Sequence, residues 1–529
     1  MISALLAALT FSVVPPAVVP PESLLEPLAP SELNGEIPGE DRTDRLELPS
    51  REPPKGWTEK RYLRSTLETA LLLGGGTWWY WSGKPPSDGW DLGFDWKSWG
   101  RKMDGDAIRF DTDMFETNAS SHPRAGAGYY QVARGNGLSY AESYISTFIA
   151  SAIWEYVVEW IEYPSINDII LTPAAGSVLG ESTFRLGRFF DAGSPNLANR
   201  VGAVIFSPFA ALNDYVAGRK PGAAGEPPYD ALGFTSTMQH KFLVGFDRIA
   251  CFTNGERQDQ STYSLDTSLV SYRGYRRPGN RSVNVSPGDW TELAGRMFVG
   301  PGGAIDGIDI HSDTLIAGRY IRRYAERGLD ETWRTAKPRG WGTLLGVGSS
   351  FDYDTRTLEQ GIDKVASAGL VGPKAELTAD SGSFGVRLGV SSYYAFAMVE
   401  PMAFLMNGNP TTSLTINSTL TSHGYYYAHG STSAATMDAR MGPFDLTVRA
   451  TFGAYWGITG RDRYQEKIQM AISPFDTRST GVAVLSMRPF GGPLRLSARV
   501  ERVQRYGTAD GETGKSDESR AGIGAGFSF

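Results

Sequence analysis

Arg520–Phe529 reads RAGIGAGFSF, and its alternation decides the fold. Ala521, Ile523, Ala525, Phe527 and Phe529 share one face, while Gly522, Gly524, Gly526 and Ser528 share the other. Successive side chains of a strand point to opposite sides, so one side of this strand is apolar and the other small. The run Leu446–Ile458, LTVRATFGAYWGI, repeats the pattern with larger residues. Leu446, Val448, Ala450, Phe452, Ala454 and Trp456 oppose Thr447, Arg449, Thr451, Gly453 and Tyr455. One face suits lipid and the other a wet or plugged interior, as in a membrane β-barrel. A soluble sandwich could carry the same strands, but it would leave an apolar edge exposed.

Working back from the terminus, further period-two runs lie at 239–252, 262–272, 308–319, 341–353, 384–396, 413–420, 467–472, 481–487 and 494–503. They predict an antiparallel transmembrane barrel of about ten to fourteen strands, an even number by the usual rule. The final strand resembles that of outer-membrane barrels, in which the aromatic end is read by the insertion machinery; Phe527 and Phe529 would carry that signal. Composition agrees: 529 residues, 12% aromatic, 62 Gly and only 21% charged. A mean hydropathy of −0.26 is no objection when only alternate residues face lipid. The net charge of −7 and the lack of a Lys/Arg tract exclude a nucleic-acid footprint. Cys251 is the single cysteine, which excludes an intrachain disulfide and a metal-binding cysteine pair.

Before the barrel, the chain concentrates unusual residues in 118–181. Leu138–Tyr163 predicts one long helix that stops at Pro164. Ile145, Phe148, Ile149, Ile153, Val157 and Ile161 line one side; Ser143, Thr147, Ser151, Glu155 and Glu159 recur at intervals of four along another. Carboxylates on such a helix need partners if buried, and Arg134 is suited to one of them. Thr172 before Pro173 predicts the start of a second helix running to Phe190. Gly176 and Gly180 would admit a close backbone, and Glu181 can pair with Arg185. A third helix is expected over 199–218, interrupted at Pro208. Upstream, Lys60–Leu73 predicts a helix ending at Gly74-Gly75-Gly76, followed by the cluster Trp78, Trp79, Trp81, Trp90, Trp96 and Trp99. That cluster reads as packed core, a carbohydrate platform or an interfacial belt.

His122, Pro123, Tyr130, Arg134, Ser143, Trp154, Glu155, Glu159, Pro164, Ser165, Asp168, Thr172, Gly176, Gly180 and Glu181 stand in an order that resembles the bacterial family called domain of unknown function 3943. The resemblance covers roughly residues 110–190. It carries no activity to transfer and implies a Gram-negative envelope protein, often with a β-barrel attached.

The resulting organisation is α+β. A signal peptide is expected over 1–20, a Pro-rich linker over 21–57 and a Trp-rich periplasmic segment over 58–117. A helical domain over 118–220 then precedes an outer-membrane barrel over 230–529. The implied function is structural or transport-like, with the helices plugging or capping the barrel. The alternative is an enzyme acting on envelope lipids or glycans, in which His122, Ser143, Glu155, Glu159 and Asp168 include a nucleophile, base and orienter. Arg134, Trp154, Glu159, Ser165, Asn167, Thr172, Gly176, Gly180 and Glu181 would support structure or a ligand. The carboxylates could also hold a divalent cation. No cofactor is called for. Outer-membrane lipids and the insertion machinery are the implied partners, with a lipid or glycan as ligand class and the N-terminal region in the periplasm.

Overall fold

A computed structural model describes residues 59–83, 91–104, 107–218, 233–235, 238–253, 256–272, 274–325, 339–407, 418–458, 460–463, 472–489 and 493–528. The expected signal peptide, the linker and Phe529 lie outside these residues. The strands are β1 Gln239–Thr253, β2 Glu256–Val270, β3 Gly279–Val285, β4 Trp290–Val299, β5 Ile305–Tyr324, β6 Arg339–Leu358 and β7 Gly361–Ser381. Next come β8 Phe384–Val399, β9 Tyr426–Met441, β10 Phe444–Gly457, β11 Phe475–Met487, β12 Leu494–Ala509 and β13 Glu512–Ser528.

Every pairing is antiparallel, and the sheet closes where β13 meets β1, with Val244 opposite Phe527. β3 and β4 lie end to end on one side of β5, interrupted over 286–289, and together act as one wall position. The result is a closed twelve-strand barrel. Its polar face turns inward and its apolar face outward: Arg449 lines the interior while Phe452, Leu485 and Ile523 stand exposed on the wall. The alternation expected over 520–528 is present, since the missing side chain of Gly524 makes room for the inward Asp247. Three strand positions escaped the sequence reading: β3 with β4, β7 and β9. β7 carries Pro373 and a register shift between Gly369 and Val371, both of which blur period two. Conversely, Thr419 and Leu420 of the expected strand 413–420 belong to a helical turn, Thr419–His423. Of the expected strand 467–472, residues 467–471 lie outside the described residues.

The helices are α1 Tyr62–Gly83, α2 Trp96–Gly100, α3 His122–Gly135, α4 Tyr140–Ile153, α5 Ile166–Asp191, α6 Leu197–Phe206 and α7 Pro208–Val216. Short α8 Met402–Met406 and α9 Thr419–His423 lie between β8 and β9. Three expectations change. α1 runs through its glycine triplet instead of stopping there. The long helix begins at a capping box between Ser139 and Glu142 and ends in a π-turn over Trp154–Val158, short of Pro164. α5 starts at Ser165, whose hydroxyl accepts from Asp168 N, so Thr172 is no cap and Pro173 sits inside the helix.

α5 is buried along most of its length and organises the helical region. It crosses α3 where a Cβ on Gly176 would lie 2.6 Å from Gly126 Cα, so two backbones touch. Its other side packs on the barrel, and on the outer wall. Ser312 stands between the inward residues His311 and Asp313, and its hydroxyl reaches Ser182 Oγ at 2.8 Å and Val178 O at 3.3 Å. Leu171, Ala175 and Val178 join outward Phe351, Ala368 and Phe396 in one core. None of the helices α1–α7 lines the lumen cavity, so the expected internal plug is instead a flank.

Candidate functional site

The family motif folds into a buried polar cluster between the helices and the wall. Residues 109–111 run extended beside 164–166, with Arg109 N on Pro164 O at 3.2 Å and Ile166 N on Arg109 O at 2.8 Å. This brings Asp111 to the first turn of α5. Asp111 accepts from Asn118 Nδ2 (2.6 Å), Tyr427 OH (3.0 Å), Asn167 Nδ2 (2.9 Å) and Asp113 N (3.2 Å). With the Ser165 hydroxyl at 3.3 Å, five neutral donors hold one carboxylate away from water, as burial demands. The Ser165 hydroxyl lies 2.7 Å from Asn167 Oδ1, and Ser165 N donates to Glu155 Oε2 at 2.7 Å.

His122 Nε2 lies 3.5 Å from Asp168 Oδ1, long for a hydrogen bond. Asp111, Asp113 and His122 can each bring one ligand atom within 4.8 Å of the others, which suits a divalent cation by donor type. Ser143, the expected nucleophile, is fully buried on α4 and its hydroxyl has no partner. A nucleophile beside His122 is therefore not assembled among the described residues. Thr172 Oγ1 is likewise buried without a partner.

The remaining motif residues hold helices together. Glu181 receives Arg134 (2.8 and 3.1 Å), Arg185 Nε (2.7 Å) and Tyr130 OH (2.8 Å). Gly180 leaves room for the Tyr130 ring. Trp154 Nε1 donates to Glu159 Oε1 at 3.0 Å, and the indole packs edge-on to Tyr80. Lys102 Nζ caps the carbonyls of Glu155 and Glu159 at 2.5 and 2.6 Å. Arg463, from the loop after β10, ties Glu162 (2.5 Å) and Asp91 (3.2 Å) to the barrel. Sequence reasoning passed over Asn118, Lys102, Arg463 and Tyr427; the Tyr425-Tyr426-Tyr427 run at the start of β9 was the signal available.

The second candidate is the lumen, a cavity of about 280 Å³ lined by all twelve wall positions. Glu501 accepts from Arg296 (2.8 Å), Arg499 (2.9 Å) and Arg520 (2.9 Å). The Phe298 ring is stacked under Arg356, 3.2 Å from its centroid, and faces Arg520 at 4.8 Å. At the end where β1 begins, the loop after β2 folds inward: Tyr275 OH meets Glu376 at 2.6 Å, and Arg276 binds Asp380. At the opposite end α8 packs into the mouth, with Met402 N on Asp476 Oδ1 at 2.9 Å. A Cβ on Gly514 would collide with Met402 O, so that glycine admits the helix.

Residues 107–209 match the model of a family described as Domain of unknown function (DUF3943). This segment is a DUF3943 domain. It takes in the Asp111 cluster and α3 to α6. No curated protein matches the chain. Solved structures similar to it include the NanC porin, at 11% identity and TM-score 0.23, covering 53% of this chain and 98% of that one. The translocator domain of autotransporter NalP from Neisseria meningitidis is also similar, at 11% identity and TM-score 0.19, covering 55% and 88%. The outer membrane protein opdK from Pseudomonas aeruginosa follows at 10% identity and TM-score 0.15, covering 55% and 99%. The barrel assignment rests on strand register and face polarity, not on these likenesses.

Proposed function

We propose that the chain is an outer-membrane barrel whose charged lumen passes or holds small polar solutes, with the DUF3943 domain as a flank that braces the wall. The observation that carries the reading is the lumen itself. A twelve-wall cavity lined by ionised groups, narrowed by the Tyr275 loop at one end and by α8 at the other, is a polar path with two constrictions. An enzyme on envelope lipids is less supported, because among the described residues the Ser143 hydroxyl has no hydrogen-bond partner and His122 faces Asp168 rather than a hydroxyl.

Conductance across planar bilayers tests it. The purified full chain should give ion currents, and Phe298→Ala should raise them several-fold by opening the Arg356–Phe298–Arg520 stack. If protein that inserts and shows a boiling-dependent gel shift conducts no more than bare lipid, in both forms, the transport reading is wrong.

A further inference from the structure

Among the described residues no helix is long and apolar enough to cross a membrane by itself. Yet the helices are built inside out. On α4 the buried face is Ser143, Thr147 and Ser151, continued by Glu155 in the π-turn. The exposed face is Ile145, Phe148, Ile149 and Ile153, with Ile145 55% and Ile149 51% exposed. α6 repeats this: Asn199 and Gly202 are buried, while Val201, Val204 and Ile205 are exposed. α7 buries Asn213 and Asp214 and exposes Leu212, Tyr215 and Val216. α1 buries Ser65 and Thr69 and exposes Leu63, Leu67 and Leu71. In water the opposite arrangement is favoured, because each large apolar side chain gains by being buried. Four helices sharing one inversion constitute a surface made for hydrocarbon.

The occupant follows from where that surface stands. The helices occupy outward positions of the wall, over Phe351, Phe396, Leu293 and Phe242, where lipid meets an uncovered barrel. α5 runs from Asp168, beside Tyr427 of β9, to Phe189, beside His240 at the start of β1. Its 26 residues, about 39 Å at 1.5 Å each, are comparable with a bilayer in length. Next to this flank, outward Leu388, Val390 and Leu345 remain exposed, so the apolar helix faces continue an apolar wall. We propose that the DUF3943 domain, with α1 and α7, is embedded in the membrane beside the barrel, its outer faces solvated by lipid acyl chains. This rests on the reading of the barrel as a membrane protein. The polar columns of α4 and α5 then serve as interior glue between helices that hydrocarbon cannot drive together.

Spin labels report the surroundings directly. Single cysteines replace Ile149, Val204 and Ile523 in the full chain with Cys251→Ser, reconstituted in phosphatidylethanolamine/phosphatidylglycerol vesicles. Ile523 lies on the uncovered wall of β13 and is the barrel control. The proposal expects Ile149 and Val204 labels to collide more with oxygen than with a water-soluble nickel chelate, by the same ratio as Ile523. If Ile523 favours oxygen and the helix labels favour nickel, the domain stands in water and the proposal falls while the barrel reading stands. If all three favour nickel, both fall. If the helix labels are shielded from both agents, a protein surface covers them and the lipid assignment is wrong. All three sites are exposed, and the boiling-dependent shift of each variant confirms folding before it is read.

Discussion

The lumen and the Asp111 cluster both bury charge, and they settle it by different means. In the lumen, carboxylates meet guanidinium groups from strands far apart in sequence; Arg296 and Glu501 are 205 residues apart. Asp111 accepts its hydrogen bonds from neutral donors: two amides, a phenol, the Ser165 hydroxyl and a backbone N–H. The difference reflects geometry. A closed barrel points every second side chain at a common axis, so long Arg side chains from several strands converge on one acid. A helix packed on a wall offers short gaps, which Asn, Ser and Tyr fill. Losing a lumen acid therefore strands several cations, whereas losing a helical donor leaves one acceptor partly served.

Glu501→Ala is the most severe way to break this contrast. It leaves Arg296, Arg499 and Arg520 without their shared acceptor at a buried position of the wall. Breaking one side of a buried pair costs about 3–5 kcal/mol. The expected outcome is loss of the compact, fast-migrating unboiled form on gels and a clear drop in the urea midpoint of refolded protein in detergent. Asn118→Ala should rank below it. It removes one donor to Asp111 and the amide contacts to Tyr425 and Tyr427, at about 1.5–3 kcal/mol for a hydrogen bond to a charged group. The barrel should still close, with only the urea midpoint shifted. Equal losses for both variants would mean that the helical flank is as necessary to the wall as the lumen charges are.

The two regions were also unequally legible. The barrel showed through wherever the outward face is strongly apolar, as in β10 and β13, because period two survives even when inward residues vary. It was lost at β7, where the bulge near Gly369 and the following Pro373 break the rhythm. In the helical region the motif residues were visible, and Arg134 was recognisable as a buried-acid partner, although its acid is Glu181 rather than one on α4. Hidden were the contacts made by distant chain: Asp111 with Tyr427, and Arg463 with Glu162. Spacing rules reach about four residues along a helix or one strand across a hairpin; neither spans 300 residues. The position of the helices, outside rather than inside, was likewise invisible. Polar residues on α4 suit a wet lumen and a dry helix interface equally.

The mildest test compares neighbours. Glu501 and Arg502 are consecutive on β12, so one points inward and the other outward. Arg502 makes the same kind of bond as its neighbour, a two-pronged contact with Asp517 on β13 at 3.0 and 2.6 Å. Its side chain is 27% exposed and that of Asp517 46%, beyond the apolar part of the wall that holds Leu496 and Ile523. Water screens such a pair, so Arg502→Ala should cost at most about 1 kcal/mol and leave the gel shift unchanged. The chemistry is the same on both faces of one strand, and only the solvent differs. A loss approaching that of Glu501→Ala would place Arg502 in hydrocarbon, and the lipid boundary on β12 and β13 would have to move past it.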